Sequence, residues 1–505
     1  MTGATLERRL ANYRAAIRPD PAPSVADKTR SAGLAQLLAT AVDGEVVDGA
    51  FGAVVRCEPL TVVLPLDRER LARLPGQPPP DVPLVCLDTE TTGLATAAGT
   101  MAFLVGLGWW EGERFRQAQL LLPDQPNELA LLTLIEAHIP RTAWLVTYNG
   151  RGFDWPLLVT RYRMARRDPP IHAGHLDLLP FVRRVFRHRM ADARLRTVET
   201  ELLNVARHED VEGWQIPGRY LDFLRLGIVE PLVAVVRHNR EDVRSLARLL
   251  GHIESGFADP DVRRTAARGD LSGLARAFSR ERRFAEALEC LETALAAPID
   301  PPPTAPSSPS HRGEEDRWWM PRHRADFGGP PPPPPQPIAT ARLDAPWTEE
   351  RILIDRARLL RRLGRFGESA SAWEGLATGS GPVAAHAWVE VSKLREHRLG
   401  DHPGALEAGL RARAVIERRR RLALVDPALE RGLARRLERL SRRVAAAASP
   451  PTIAKSVAQP VAAAAAGTIG TLGSTAIDAQ VDLTQSRSGS NEQAIVRRSP
   501  ARALR

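Results

Sequence analysis

The chain is short of cysteine: Cys57, Cys86 and Cys290 are its only three in 505 residues, widely separated and odd in number. That usage argues against a disulfide framework and against a cysteine metal site, and it fits a reducing compartment. No secretory signal precedes the folded part, and no apolar run approaches the ~20 residues that a bilayer span needs. The expected location is cytoplasmic, with no membrane partner. Lysine is almost missing, at Lys28, Lys393 and Lys455 alone, so the formal net charge of +10 rests on arginine. With the heavy Ala and Pro usage this skew looks like a coding bias. The sign of the charge suggests a polyanionic partner, but where the arginines sit matters more than how many there are.

What the sequence does contain is enough for two or three domains, with 43% hydrophobic residues to supply their cores. Residues 1–81 read as an N-terminal extension: a basic helix over Thr5 to Arg18, a second helix around Ser31 to Ala41, and a small β element in the valine runs between Gly44 and Leu66. From Leu84 onward the pattern is strand, turn, strand, with Thr100 to Trp110 and Phe115 to Leu122 joined at Glu111-Gly112. Helical periodicity follows over Asn127 to Ile139, then a strand over Trp144 to Tyr148 and a helix over Trp155 to Arg167. A short strand at His175 to Leu179 precedes helices over Arg196 to Leu203 and Leu232 to Ile253. Three strands in a meander, then strands alternating with helices, predict an α/β mixed sheet flanked by helices. After Gly269 the periodicity is that of helical hairpins. Leu271, Leu274, Ala275 and Phe278, answered by Ala287, Leu291 and Ala294, reproduce the large and small packing positions of a tetratricopeptide repeat. The predicted all-α region has a first unit at 269–298 and further units over 347–448, split by a Pro-rich disordered insertion at 299–346. Residues 449–505 lack a hydrophobic period and are expected to be a disordered tail.

The chemistry concentrates at Leu84 to Gly93, LVCLDTETTG. An extended chain sends positions i and i+2 to one face, so Asp88 and Glu90 leave the strand side by side and invite a divalent cation. A polar strand end before a turn is the plainer alternative. Asp154 opens a helix after the turn Asn149-Gly150-Arg151-Gly152, where taken alone a helix cap is the more natural role. His238 and Asp242 stand four apart on one helix face, which also describes a surface pair of a few tenths of a kcal/mol.

Taken in order, D-x-E, the Asp at a helix start and H-x3-D resemble the DEDD exonuclease superfamily with its ribonuclease H-like fold. The stretches Gly99 to Gly108, Tyr148 to Pro156, His175 to Leu179 and His238 to Val243 resemble more narrowly the YprB-type ribonuclease H-like exonucleases, whose members can carry tetratricopeptide repeats. The likeness covers roughly Val82 to Ile253 and implies a nuclease domain at 82–255. It implies an enzyme hydrolysing phosphodiester bonds with two Mg2+ or Mn2+ ions about 4 Å apart. Asp88 would bridge the ions, Glu90 and Asp242 would complete one site, Asp154 would hold the other, and His238 would orient or deprotonate the water. The last step departs from the better-known branches, since a histidine occupies the four-residue spacing that usually carries tyrosine. Thr89, Asn149, Arg151, Arg163 and Arg184 are assigned to the nucleic acid, a single-stranded DNA or RNA. For the arginines, a solvated helix face is the competing reading. The helical units would dock a protein partner or lengthen the substrate channel. A non-catalytic, nucleic-acid-binding scaffold that keeps the acids by descent is the alternative function.

Overall fold

The computed structural model describes residues 25–93, 99–207, 210–297, 348–379, 383–421 and 426–448, with side chains from residue 29 on. The expected helix over Thr5 to Arg18, the Pro-rich insertion and the tail lie outside these residues.

Helix α1 (Val25–Val42) leads into strands β1 (Glu45–Gly49), β2 (Gly52–Cys57) and β3 (Val62–Val63) and a short helix α2 (Arg68–Ala72). Strands β4 (Leu84–Thr91), β5 (Ala102–Glu111) and β6 (Arg114–Leu121) form the antiparallel meander. Next come α3 (Glu128–His138), β7 (Trp144–Thr147), α4 (Asp154–Met164), β8 (Gly174–Asp177) and α5 (Leu178–Val185). Helices α6 (Leu195–Glu201), α7 (Ile216–Leu226), α8 (Glu230–Phe257) and α9 (Pro260–Arg263) complete this part. The eight strands make one mixed sheet in the order β1-β2-β6-β5-β4-β7-β8, with β3 also on β6. β7 runs parallel to β4 and β8 parallel to β7. The valine runs before residue 66 therefore extend the main sheet at β6 and share its core.

β4 lies between β5 and β7, which explains its continuous apolar run. Its side chains alternate between two cores. Val85 and Leu87 pack with Leu145, Leu157 and Tyr220, whereas Leu84 and Cys86 pack with Val146, Leu246 and Leu250. Asp88 and Glu90 continue the Leu84–Cys86 row, so they emerge on the face that α8 covers.

Besides the short α2 and α9, two longer helices were not foreseen in the sequence. α5 starts directly on β8 with no connecting loop, because the Asp177 side chain accepts from the Leu179 amide and caps it. α7 runs through a segment whose Gly213, Pro217, Gly218 and Gly227 read as loop. Pro217 falls in its first turn, where a missing N–H costs nothing, and Gly227 ends it with φ of 72°.

Beyond α9 the described chain is entirely helical. It consists of α10 (Arg268–Arg280) with α11 (Phe284–Ala296), α12 (Glu349–Arg362) with α13 (Phe366–Ala377), α14 (Val383–His397) with α15 (His402–Arg420), and α16 (Pro427–Ala448). Leu271, Leu274 and Phe278 of α10 belong to the same apolar cluster as Val146, Leu176 and Phe186. Among the described residues no helix is long and apolar enough to cross a membrane.

α8 reaches the sheet because β5 carries glycine beneath it. A Cβ at Gly106 would lie 2.3 Å from Asn239 Oδ1 and 2.7 Å from Val243 Cγ2. Gly106→Ala is therefore expected to cost about 1–3 kcal/mol, read as a lower denaturant midpoint. Gly218→Ala, on an exposed turn of α7 with open space around it, should instead gain roughly 0.5–1 kcal/mol.

Candidate active site

The end of β4, the start of α4 and the middle of α8 bring acidic side chains together. Asp88 is paired in register with Gly106 and accepts a hydrogen bond at Oδ2 from Asn239 Nδ2 at 2.9 Å. Asn239 is fully buried and is fixed in turn by Gln119 of β6, whose Nε2 donates to Asn239 Oδ1 at 2.9 Å and to the Val236 carbonyl at 2.8 Å. Asp154, buried at the first position of α4, accepts from the Thr89 hydroxyl at 2.5 Å.

These carboxyls disturb one another. Burial first, then the charges of Asp242, Asp154 and Glu90, hold Asp88 well above the usual carboxylate range, and the Asn239 hydrogen bond only partly offsets this. Glu90 is raised for the same reasons, burial leading and Asp242 and Asp154 following, with Arg207 acting against them. Burial pushes Asp154 up to about 6 despite its hydrogen bonds to Thr89 and to backbone amides. The four predicted acids are thus neighbours. Acidic oxygens that raise one another's affinity for a proton are the donor set that a hard divalent cation favours.

The fourth acid has a protein counter-ion. Arg207 Nη2 hydrogen-bonds both Asp242 and Glu199, and its Nη1 lies 3.6 Å from Asp210. Only 8% of the Arg207 side chain is exposed. Burial works to lower its pKa, but Asp242 and Glu199 outweigh that and raise it. Arg207 thus engages one oxygen of Asp242, and among the described residues no three His, Cys, Asp or Glu side chains stand close enough together to hold a metal ion.

His238 faces the cluster. Its Nε2 is 3.8 Å from Glu90 Oε1 and 3.6 Å from Asp242 Oδ2, as the four-residue spacing implies. Its Nδ1 is 2.6 Å from Asp210 Oδ1. Burial opposes ionisation of Asp210, yet the His238 hydrogen bond and the charges of His238 and Arg207 hold it below the ordinary value. An ionised carboxylate accepts only from a protonated nitrogen, so Nδ1 carries hydrogen toward Asp210 while Nε2 faces the acids. Asp210, Arg207, Glu199 and Gln119 were missed in the sequence, where no spacing links them to the acids. Asn239 was part of a quoted motif but had no role.

The residues assigned to nucleic acid divide. Thr89 is a correction: its hydroxyl is buried and donates to Asp154, so it positions an acid rather than meeting solvent. Arg151 is exposed, but its guanidinium donates to the His175 carbonyl. Asn149 is exposed in a left-handed turn, φ 68°, with its amide donating to Asp177 at 2.8 Å. Arg163 is exposed on α4, and Arg184 points toward the helical hairpins. Their neighbours are mostly committed elsewhere: Arg161 forms a two-pronged pair with Glu128 at 2.5 and 2.6 Å, and Arg167 pairs with Glu136. His175 and His172 are packing residues, on Thr147 and Trp155. Asp177 is structural, tying the 149–151 turn to the start of α5.

Comparison with known proteins bears on this same part of the chain. Residues 85–254 match the family model of the RNase_H superfamily. The chain is 41% identical over 172 residues to an uncharacterised protein of Bacillus subtilis (strain 168), YprB, a stretch that spans 34% of this chain and 41% of that protein's length. The mixed sheet with its flanking helices is therefore an RNase H-like fold, followed by a helical region.

An acid whose pKa is raised in the fold keeps its proton to higher pH than in the unfolded chain. The contribution of Asp154 to stability without metal is then fully present below the ordinary value of 3.8 and is lost as pH rises through about 6, on the order of 3 kcal/mol for that group. Asp88→Asn is expected to raise the Tm of the chelator-treated protein at pH 7.5, with the gain shrinking toward pH 4. Added Mg2+ should raise the Tm of the unsubstituted chain more than that of the variant, both by differential scanning calorimetry.

Proposed function

We propose that this chain is a cytoplasmic, metal-dependent nuclease, a 3′ to 5′ exonuclease acting on single-stranded DNA or RNA. The observation that supports it most is the gathering of Asp88, Glu90, Asp154 and Asp242 beside a histidine whose Nε2 faces Glu90 and Asp242. In this reading Asp88, Glu90, Asp154 and Asp242 would hold the cations. When bound, Mg2+ or Mn2+ would supply a water acidic enough to attack and would neutralise charge on the phosphoryl oxygens.

The remaining work belongs to the protein. His238 Nε2 takes the proton of the attacking water, and Asp210 at Nδ1 stabilises the imidazolium that results. Asn239 holds Asp88 in place, and Thr89 does the same for Asp154. Arg207 neutralises Asp242 and Glu199. The helical hairpins, read as tetratricopeptide-like units, extend the surface available to substrate or to a protein partner.

The engagement of Asp242 by Arg207 favours one competing reading, a nucleic-acid-binding scaffold without catalysis. End-labelled oligonucleotides with Mg2+ or Mn2+ separate the two. A ladder from the 3′ end is expected, internal cuts would make the enzyme an endonuclease, and binding without cleavage would leave the scaffold. Asp88→Ala and Asp242→Asn should each abolish cleavage. Asp210→Asn should lower kcat roughly 10- to 100-fold with KM little changed.

A further inference from the structure

Away from the acids, a cleft of about 300 Å³ lies between the first and second helical hairpins, and its charge is one-sided. Arg276 and Arg280 of α10 face Arg351, Arg358 and Arg362 of α12 across it, and Asp355 is the one acidic residue in the lining. Asp355 is shared, at 3.3 Å from Arg351 and 3.5 Å from Arg358. Arg280 and Arg362 have no carboxylate partner among the described residues, and Arg362 rests instead on the Phe284 ring at 5.2 Å from its centroid. Five guanidiniums held this close, against one carboxylate, repel one another and are relieved by an anion of several charges.

The cleft is joined to the acid cluster by one short helix. Gly273 of α10 packs on the backbone of α5, where a Cβ would stand 2.5 Å from the Arg184 carbonyl oxygen. Arg184 projects from that contact toward the cleft: burial, then the charge of Arg280, lowers its pKa. Arg276, likewise lowered first by burial, feels both Arg351 and Arg184. At its other end α5 begins on Asp177, which holds the 149–151 turn that leads to Asp154. An eight-residue helix is ~12 Å long. Arg183, beside Arg184, is close enough to oppose the upward shift that burial imposes on the Tyr148 phenol, next to Asn149. Arg183 and Arg184, both in the last turn of α5, therefore carry the positive charge of the cleft toward Tyr148, which precedes the turn at the acids.

We propose that the arginine-lined cleft between the first two hairpins binds the sugar-phosphate backbone of the strand whose end lies at the acid cluster. Planar guanidiniums pair with phosphate through two parallel hydrogen bonds, and a row of them tracks a chain of phosphates without reading its sequence. An acidic peptide would suit the cleft alone, but the row that leads to the acids gives it no purpose. The identity of the polyanion rests on the nuclease reading, whereas the existence of an anion site does not.

The test uses the full-length chain carrying Arg280→Glu, Arg358→Glu and Arg362→Glu together, all at exposed positions, with circular dichroism to confirm the fold. Binding of a fluorescent single-stranded 20-mer is followed by anisotropy in chelator over a range of salt. Affinity should fall about tenfold or more, and the slope of log K against log salt should drop by roughly 2, three contacts at ~0.7 each. Hydrolysis of a labelled dinucleotide with Mg2+, too short to reach the cleft, should be unchanged. Unchanged 20-mer binding overturns the proposal, as does a loss confined to polyglutamate of matched length, which would assign the cleft to an acidic protein. If the dinucleotide is cut by neither protein while the 20-mer loses affinity, the nuclease reading fails and the cleft stands.

Discussion

Everything in the first half of this molecule depends on holding like charges close together away from water. Burial, and then the charges of Asp242 and Asp154, raise the pKa of Asp88 and Glu90, and only a few neutral donors and one guanidinium act against that cost. The scaffold meets the cost with rigidity. A glycine in β5 lets α8 lie against the sheet, a buried amide pair from Gln119 and Asn239 fixes the innermost carboxylate, and a strand hydroxyl fixes the one on α4. Each donor is uncharged, so each sets direction without neutralising the site. Arg207 differs in kind. It brings a full positive charge into the cluster, next to both the late aspartate and the orienting pair of His238, so the metal-free site keeps a counter-ion of its own.

Much of this was legible in the sequence because it follows from periodicity. The two-residue step from Asp88 to Glu90 and the four-residue step from His238 to Asp242 are local geometry, and the structure places each pair on one face. The continuous apolar character of Leu84 to Leu87 pointed to a central strand, which β4 is. What stayed hidden was long-range or conditional. Arg207 and Asp210 sit in an irregular segment, and nothing in their spacing ties them to residues thirty positions later. The short helix after Asp177 and the one after Pro217 lie where capping chemistry overrides a loop-like composition. The arginine clusters misled in part: they sit in the predicted segments, but several of their members are committed to carboxylates of neighbouring helices.

The first helical hairpin is bound to the sheet more intimately than a repeat module joined by a linker would be. Phe278 and Leu274 share an apolar cluster with the strands, and Asp270 receives Arg189 at 2.9 Å from the segment after α5. That cluster reaches Ile352 and Leu360 of α12, so it passes from the sheet into the second hairpin without a break. A core that crosses such a junction does not open in halves, because parting the two sides would bare apolar surface on both. Heat or denaturant should therefore find one cooperative foldon there, and removing these helices would leave the back of the sheet bare to water.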